Sequence, residues 1–256
     1  MLRHGRIGAL GLAAALAAAL QAFGSAPKTI HKTVPLASDG RVVVDTYKGS
    51  VHVTTWDRSE VDIDARIEAD GAWTGEDTIQ RADVRIDASN LSVRIKSDNG
   101  RGDWGIHFGL SDSPPAFHYR IRMPRKARLE IKDYKSRIEV DDLHAELRIS
   151  TYRGDTSVTR QDGPLHWNSH RGEIRAGFVR VGNGTVFDTY RGEVEIAVPG
   201  NEGFRLAADV GRHGQVRSDF PEVGRRASGH VDWTVNGGGP QIQLKGYRGS
   251  FRLRRG

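Results

Sequence analysis

Thr151-Tyr152-Arg153-Gly154-Asp155-Thr156, Ser169-His170-Arg171-Gly172-Glu173-Ile174 and Thr189-Tyr190-Arg191-Gly192-Glu193-Val194 are copies of one phrase. Earlier copies stand at Thr46-Tyr47-Lys48-Gly49-Ser50-Val51 and Asp133-Tyr134-Lys135-Ser136-Arg137-Ile138, and a later one at Gly246-Tyr247-Arg248-Gly249-Ser250-Phe251. A degenerate copy occupies Arg212-His213-Gly214-Gln215-Val216. Ser136 and Gly154 are 18 residues apart, Gly154 and Gly172 are 18, and Gly172 and Gly192 are 20. That period is too short for a propeller blade. It fits one coil of a β-solenoid, in which two or three short strands turn through glycine corners and each coil of 18–22 residues pairs in parallel with the next.

Gly49, Gly154, Gly172, Gly192 and Gly249 are the expected corners, because a sharp bend between stacked coils demands φ > 0 or leaves no room for a Cβ. Ser136 departs from the pattern. Tyr152, Tyr190 and their equivalents would then stack at the strand spacing of about 4.8 Å, with the basic residues in a parallel row.

Between turns, apolar and polar residues alternate with the period of a strand that buries one face. Val61, Ile63, Ala65 and Ile67 interleave with Asp62, Asp64 and Arg66, and Leu91, Val93 and Ile95 with Ser92, Arg94 and Lys96. Residues 57–132 read as longer, hairpin-like strands with a turn at Ser89-Asn90, so antiparallel pairing is expected in the amino-terminal half. Ser97 to Pro115, rich in Gly, Asp and Ser, reads as a long irregular loop. Gly75 to Ala82 is the single short helical candidate in the class, which is all-β.

The first 26 residues carry no carboxylate, place Arg3 and Arg6 before an apolar run from Ile7 to Leu20, and end in small residues at Ala22, Gly24 and Ala26. This is the pattern of a secretory signal peptide. The run is shorter than the roughly 20 residues that span a bilayer, and no second one follows. Residues 27–256 are thus expected to form a single exported repetitive domain without a transmembrane segment; a retained anchor is the alternative. There is no cysteine, which excludes both an acylated-cysteine anchor and disulfides. Removing Arg3 and Arg6 leaves 36 Lys+Arg against 32 Asp+Glu, so the formal net charge falls from +6 to +4. Acids and bases are interleaved throughout, and no nucleic-acid partner is implied.

The repeats, the preceding Val53-Thr54-Thr55-Trp56-Asp57-Arg58-Ser59-Glu60-Val61, the leader and the closing Gly237-Gly238-Gly239-Pro240-Gln241-Ile242 together resemble the bacterial putative-adhesin family of exported β-solenoid proteins, a domain family of unknown function. The likeness covers about residues 30–255. It implies an extracytoplasmic solenoid and carries over no catalytic residues. Tyr-Arg before the glycine departs from the family's more common small polar residues.

Tyr152, Arg153, Tyr190, Arg191, Tyr247 and Arg248 form the candidate binding row. Structurally the tyrosines make a corner ladder beside solvated Arg/Glu ion pairs. Functionally, aromatic faces suit sugars and guanidinium groups suit phosphate, so envelope glycan, lipopolysaccharide or another envelope protein are the partners to consider. His166 and His170, four apart on an alternating strand, share a side without forming a metal signature. Asp141-Asp142 should point to opposite faces, and Asp62/Asp64 should be ordinary solvated acids, so neither forms a glycosidase pair. Arg101-Gly102-Asp103 is a chance-level recognition tripeptide, and Asn183-Gly184-Thr185 marks a turn. No phosphate-cradling loop, serine elbow or Cys/His nucleophile occurs, and no cofactor is implied.

The leading reading is an exported, non-catalytic, adhesin-like binding or scaffolding module, periplasmic or at the cell surface. A polysaccharide-active solenoid enzyme and a sensor of envelope stress are the alternatives. The exported chain is expected to begin between Gly24 and Lys28 and to remain in solution without detergent; mass spectrometry that finds its amino-terminal segment intact would refute this.

Overall fold

The computed structural model describes residues 26–70, 76–100, 113–223 and 228–256. Residues 1–25 of the expected leader, residues 101–112 of the expected loop and the Arg101-Gly102-Asp103 tripeptide lie outside these. The alternating segments become strands: β1 (Lys28–Pro35), β2 (Arg41–Asp45), β3 (Lys48–Trp56), β4 (Glu60–Glu68), β5 (Asp83–Ala88), β6 (Ser92–Asp98), β7 (Ala116–Pro124), β8 (Arg128–Asp141), β9 (Leu147–Gly163), β10 (Leu165–Val181) and β11 (Thr185–Val198). The chain ends with β12 (Phe204–Asp209), β13 (Gln215–Ser218), β14 (His230–Val235), β15 (Gln241–Gly246) and β16 (Ser250–Arg255). The single α-helix among the described residues, α1 (Glu76–Arg81), falls on the helical candidate and buries Thr78 and Ile79. All the strands join one large, mostly parallel sheet.

The recurring phrases pair with one another residue for residue. Gly154 lies opposite Gly172, and Gly172 opposite Gly192, in parallel ladders. On the other side Gly49 pairs with Ser136 although 87 residues separate them, because the intervening chain makes an excursion: β4 runs antiparallel to β7 and β1, and β5 antiparallel to β6. At the carboxyl end the spatial order departs from the chain order. β15 and β16 lie against β11, and the earlier β12 and β13 lie beyond them, so the phrase at 246–251 sits between the phrase at 189–194 and its degenerate copy at 212–216.

Parallel register turns the alternation into apolar columns. Ile95, Val44, Ile131, Ile149, Trp167, Phe187, Leu244 and Ala208 follow one another across eight paired strands. A second column runs Ile63, Ile121, Val53, Val140, Val158, Ala176, Ile196 and Leu253. All these side chains are buried, and each large one contributes on the order of 1.5–3 kcal/mol relative to exposure.

The expectation of two or three short strands per repeat needs correction. β9 and β10 are single strands of 17 residues that run through their glycines without interruption. Only Pro164 separates them, yet Leu165 pairs with Leu147, at the start of β9. Each strand is instead bent at the phrase, where the alternation fails: Thr151 is buried, Tyr152 to Asp155 all face outward, and Thr156 is buried again. The bend has two local causes. Gly154 has φ +136°, in the region L side chains rarely adopt. At Gly192 the problem is space, since an added Cβ would collide with the Gly172 carbonyl oxygen.

Gly154→Ala is therefore expected to cost roughly 1–3 kcal/mol, because the strained φ is compounded by contact with the Ser136 carbonyl. Gly177→Ala, where an added Cβ meets only the Val158 oxygen at 3.8 Å, is the matched control and should cost little. A urea midpoint lowered equally by both substitutions would contradict this account of the bend.

Candidate functional site: an aromatic row beside a basic row

Within each phrase the first residue points in, and the next two, released from alternation by the bend, point out. In-register pairing then lines up each position. Six rings form a continuous stack: Tyr47 to Tyr134 (centroids 4.8 Å apart), Tyr134 to Tyr152 (5.0 Å), Tyr152 to His170 (4.9 Å), His170 to Tyr190 (5.0 Å) and Tyr190 to Tyr247 (5.4 Å). His213 of the degenerate copy meets Tyr247 edge-on at 6.1 Å. Tyr47, Tyr134 and His170 thus belong to the row with the expected Tyr152, Tyr190 and Tyr247. Their position in the phrase was the signal that could have found them. Burial, and then the neighbouring Tyr134, push the Tyr47 hydroxyl above its ordinary pKa.

The stacking constrains what the row can bind. Every inner ring has another ring on both faces, so solvent meets ring edges and phenol groups. The flat faces that would pack on a sugar are covered by neighbours.

Beneath the rings runs a polar row formed by the buried Thr46, Thr151, Ser169 and Thr189 and the half-buried Asp133. Asp133 organises one end, accepting from the Ser136 backbone N–H (2.8 Å), the Ser136 hydroxyl (2.6 Å) and the Thr151 hydroxyl (2.9 Å). Burial raises its pKa, and these hydrogen bonds oppose the rise. The buried Ser169 and Thr189 hydroxyls have no hydrogen-bond partner among the described residues.

One residue beyond the rings, Lys48, Lys135, Arg153, Arg171 and Arg191 pair in sequence, and the Arg248 backbone N–H donates to the Tyr190 carbonyl, which adds Arg248 to the row. Arg153 and Arg248 carry their guanidinium carbons 5.7 and 5.6 Å from the centroids of Tyr152 and Tyr247, within cation–π range. The expected Arg/Glu ion pairs beside the rings do not form. Glu173 reaches Arg175 at 3.9 Å rather than Arg171, and among the described residues no carboxylate pairs with Lys135, Arg153, Arg171, Arg191 or Arg248. Lys48, in the same row, pairs with Asp70 (2.5 Å), and some basic side chains elsewhere are matched, Arg180 with Asp162 (2.9 Å), Arg254 with Glu195 (2.8 Å) and Arg160 with Asp141 (2.7 Å).

Two acidic readings are corrected. Asp141 and Asp142 do not diverge. Asp142 has φ +61°, which turns its carboxylate so that both acids hold Arg160. Asp62 is buried rather than solvated, accepting from Thr33 (2.8 Å) and from Arg122 Nη2 (2.5 Å) and Nε (3.1 Å). Its pKa is lowered: the hydrogen bonds and charge of Arg122, with Thr33, outweigh a burial that acts the other way. His31, Asp62 and Asp64 bring ligand atoms within 4.8 Å of one another, but Arg122 occupies Asp62 and His31 Nδ1 bonds Asp64 at 2.7 Å, so the set is a satisfied ion network. His166 faces Glu146 at 3.7 Å while His170 lies within the ring stack. Asn183-Gly184 is a turn, with Gly184 at φ +84°.

No known family model matches the sequence, and no curated protein matches it. Solved structures do. A "putative cell adhesion protein" from Clostridium sporogenes aligns over 90% of this chain and 100% of its own at 10% identity, with a TM-score of 0.51. A "putative adhesin" from Bacteroides fragilis aligns over 88% and 97% at 12% identity, with a TM-score of 0.43. At 10% identity, the likeness to the first is one of fold. No helix among the described residues is long and apolar enough to cross a membrane.

Replacing Tyr190 with alanine removes stacking on two sides and is expected to cost roughly 1–3 kcal/mol. His170→Tyr should make the stack all-tyrosine and raise stability by about 0.5–1 kcal/mol. Thermal melting of the two variants checks both; a neutral Tyr190→Ala would mean the rings contribute nothing to holding the bends.

Proposed function

We propose that this chain is an exported, non-catalytic, adhesin-like module built as a β-solenoid, and that it binds envelope material along the row containing Tyr152, Arg153, Tyr190, Arg191, Tyr247 and Arg248. The solenoid reading is supported by the single-residue link at Pro164. Seventeen extended residues would span roughly 56 Å, yet the chain re-enters beside its own start and points the same way, which requires each repeat to curl back on itself. The resemblance to the adhesin family and the fold-level likeness to a cell adhesion protein point in the same direction. Export, to the periplasm or the cell surface, rests on the amino-terminal pattern.

The observation that carries the binding reading is the exposed stretch of the basic row from Lys135 to Arg248, whose members form no ion pair among the described residues, beside a fixed stack of rings. The division of labour follows from it: the rings hold the bends and the cations face the ligand. The triple variant Arg153→Ala, Arg191→Ala, Arg248→Ala should melt close to the parent temperature, having lost no ion pair and only two exposed cation–π contacts worth about 0.5–1 kcal/mol each, yet lose most of its retention on peptidoglycan or lipopolysaccharide. Unchanged retention with an intact fold would leave a scaffold rather than a binder.

A further inference from the structure

We infer that the ligand of this row is a linear anionic glycan laid along the stacking direction, its acidic groups taken by Lys135, Arg153, Arg171, Arg191 and Arg248 in turn. The inference deepens the proposed function and rests on its reading of the row as a binding surface.

Three observations carry it. The first is like charge in register. Lys135 lies opposite Arg153, Arg153 opposite Arg171, and Arg171 opposite Arg191, an arrangement in which side chains one strand apart repel. The outward row two residues on repeats the pattern with the opposite sign, Asp155, Glu173 and Glu193 lying in register, and only the row beyond it mixes signs, running Glu139, Ser157, Arg175, Glu195 and Arg252 across the same strands. The second is that no carboxylate forms an ion pair with these five cations among the described residues: the acids two residues further on, Asp155, Glu173 and Glu193, are exposed but do not reach the row, and Asp70 is held by Lys48, with Lys135 acting on it only through its charge. The third is ring geometry. The faces of the inner rings are covered at 4.8 to 5.4 Å by their neighbours, so a neutral sugar finds no platform there. What the surface offers is guanidinium forks, which match carboxylate, sulfate and phosphate oxygens bidentately, with phenol groups alongside as hydrogen-bond donors. Successive cations are one strand apart, about 4.8 Å, so the complementary ligand repeats its negative groups along a chain.

The test uses the mature protein with dextran sulfate, polygalacturonate and uncharged dextran as probes, with affinity measured over a range of sodium chloride. Dextran sulfate should bind, polygalacturonate should distinguish carboxylate from sulfate recognition, and dextran should not bind. Affinity should rise with dextran sulfate chain length and fall steeply with salt. The double variant Arg171→Gln, Arg191→Gln should weaken dextran sulfate binding about tenfold or more and flatten its salt dependence, while its melting temperature holds or rises as repulsion is relieved. A loss of binding accompanied by a fall in melting temperature would be attributed to unfolding and is checked with Arg171→Lys, which keeps the charge and should retain most of the binding. Equal binding of dextran and dextran sulfate, an affinity indifferent to the double variant, or tighter binding of single-stranded DNA than of either acidic glycan would overturn the assignment. If acidic glycans fail but peptidoglycan retention still depends on Arg153, Arg191 and Arg248, only the ligand class falls; if that retention is also indifferent, the binding row itself falls.

Discussion

At each bend the backbone of one repeat occupies the space where a side chain of the next would begin. The Ser136 carbonyl oxygen lies where a Cβ on Gly154 would stand, the Gly154 oxygen crowds a Cβ on Gly172 at 2.9 Å, and the Gly172 oxygen blocks one on Gly192. Such close approach admits one residue type and so fixes register to a single residue. A slip by one position would bring an arginine or an acid into the gap and turn every apolar column toward solvent. The ring stack, the buried hydroxyl row and the cation row all follow from that contact. Ser136 tolerates its own Cβ because the side chain turns toward Asp133, to which its hydroxyl donates.

Strict register repeats liabilities as faithfully as it repeats contacts. A hydroxyl at one phrase position becomes a buried polar row in the core, satisfied at the Asp133 end and unpartnered at Ser169 and Thr189. A basic residue at another position becomes a line of like charge. Away from the phrase the sequence escapes in places by alternating sign, as at Arg160 and Asp141 or Arg254 and Glu195, though Arg41 still lies opposite Arg128. At the phrase it does not, and there the side chains from Lys135 to Arg248 are exposed to water, where repulsion is modest and salt-screened.

Much of this was legible in the sequence because spacing and alternation are themselves the physical cause of parallel register. The 18- and 20-residue intervals place Gly154, Gly172 and Gly192 opposite one another without reference to any long-range contact. Other features depended on information that no local pattern holds. The insertion of Tyr247 beside Tyr190 ahead of His213 is set by a returning connection, so chain order misplaces it. Asp62 is buried because the edge strand β1 brings Thr33 across it, and the alternation of β4 says nothing of that cover. The orientation of Asp155, Glu173 and Glu193 escaped because period-two reasoning ceases at a bend, where consecutive residues share the outside.

The same bend would link stability to the proposed recognition. An exposed guanidinium contributes little to binding when it acts alone in water. On the proposed reading, five cations held at one strand spacing would act differently, because once one is engaged the rest meet the ligand at high effective concentration, provided the spacing does not fluctuate. That spacing is maintained one residue away, by rings at 4.8 to 5.4 Å over a glycine bend. In the proposed binding mode the aromatic row acts without offering its faces to the ligand: by keeping successive bends in contact it would convert weak single charges into one continuous surface, whose reach is set by how many repeats carry the phrase.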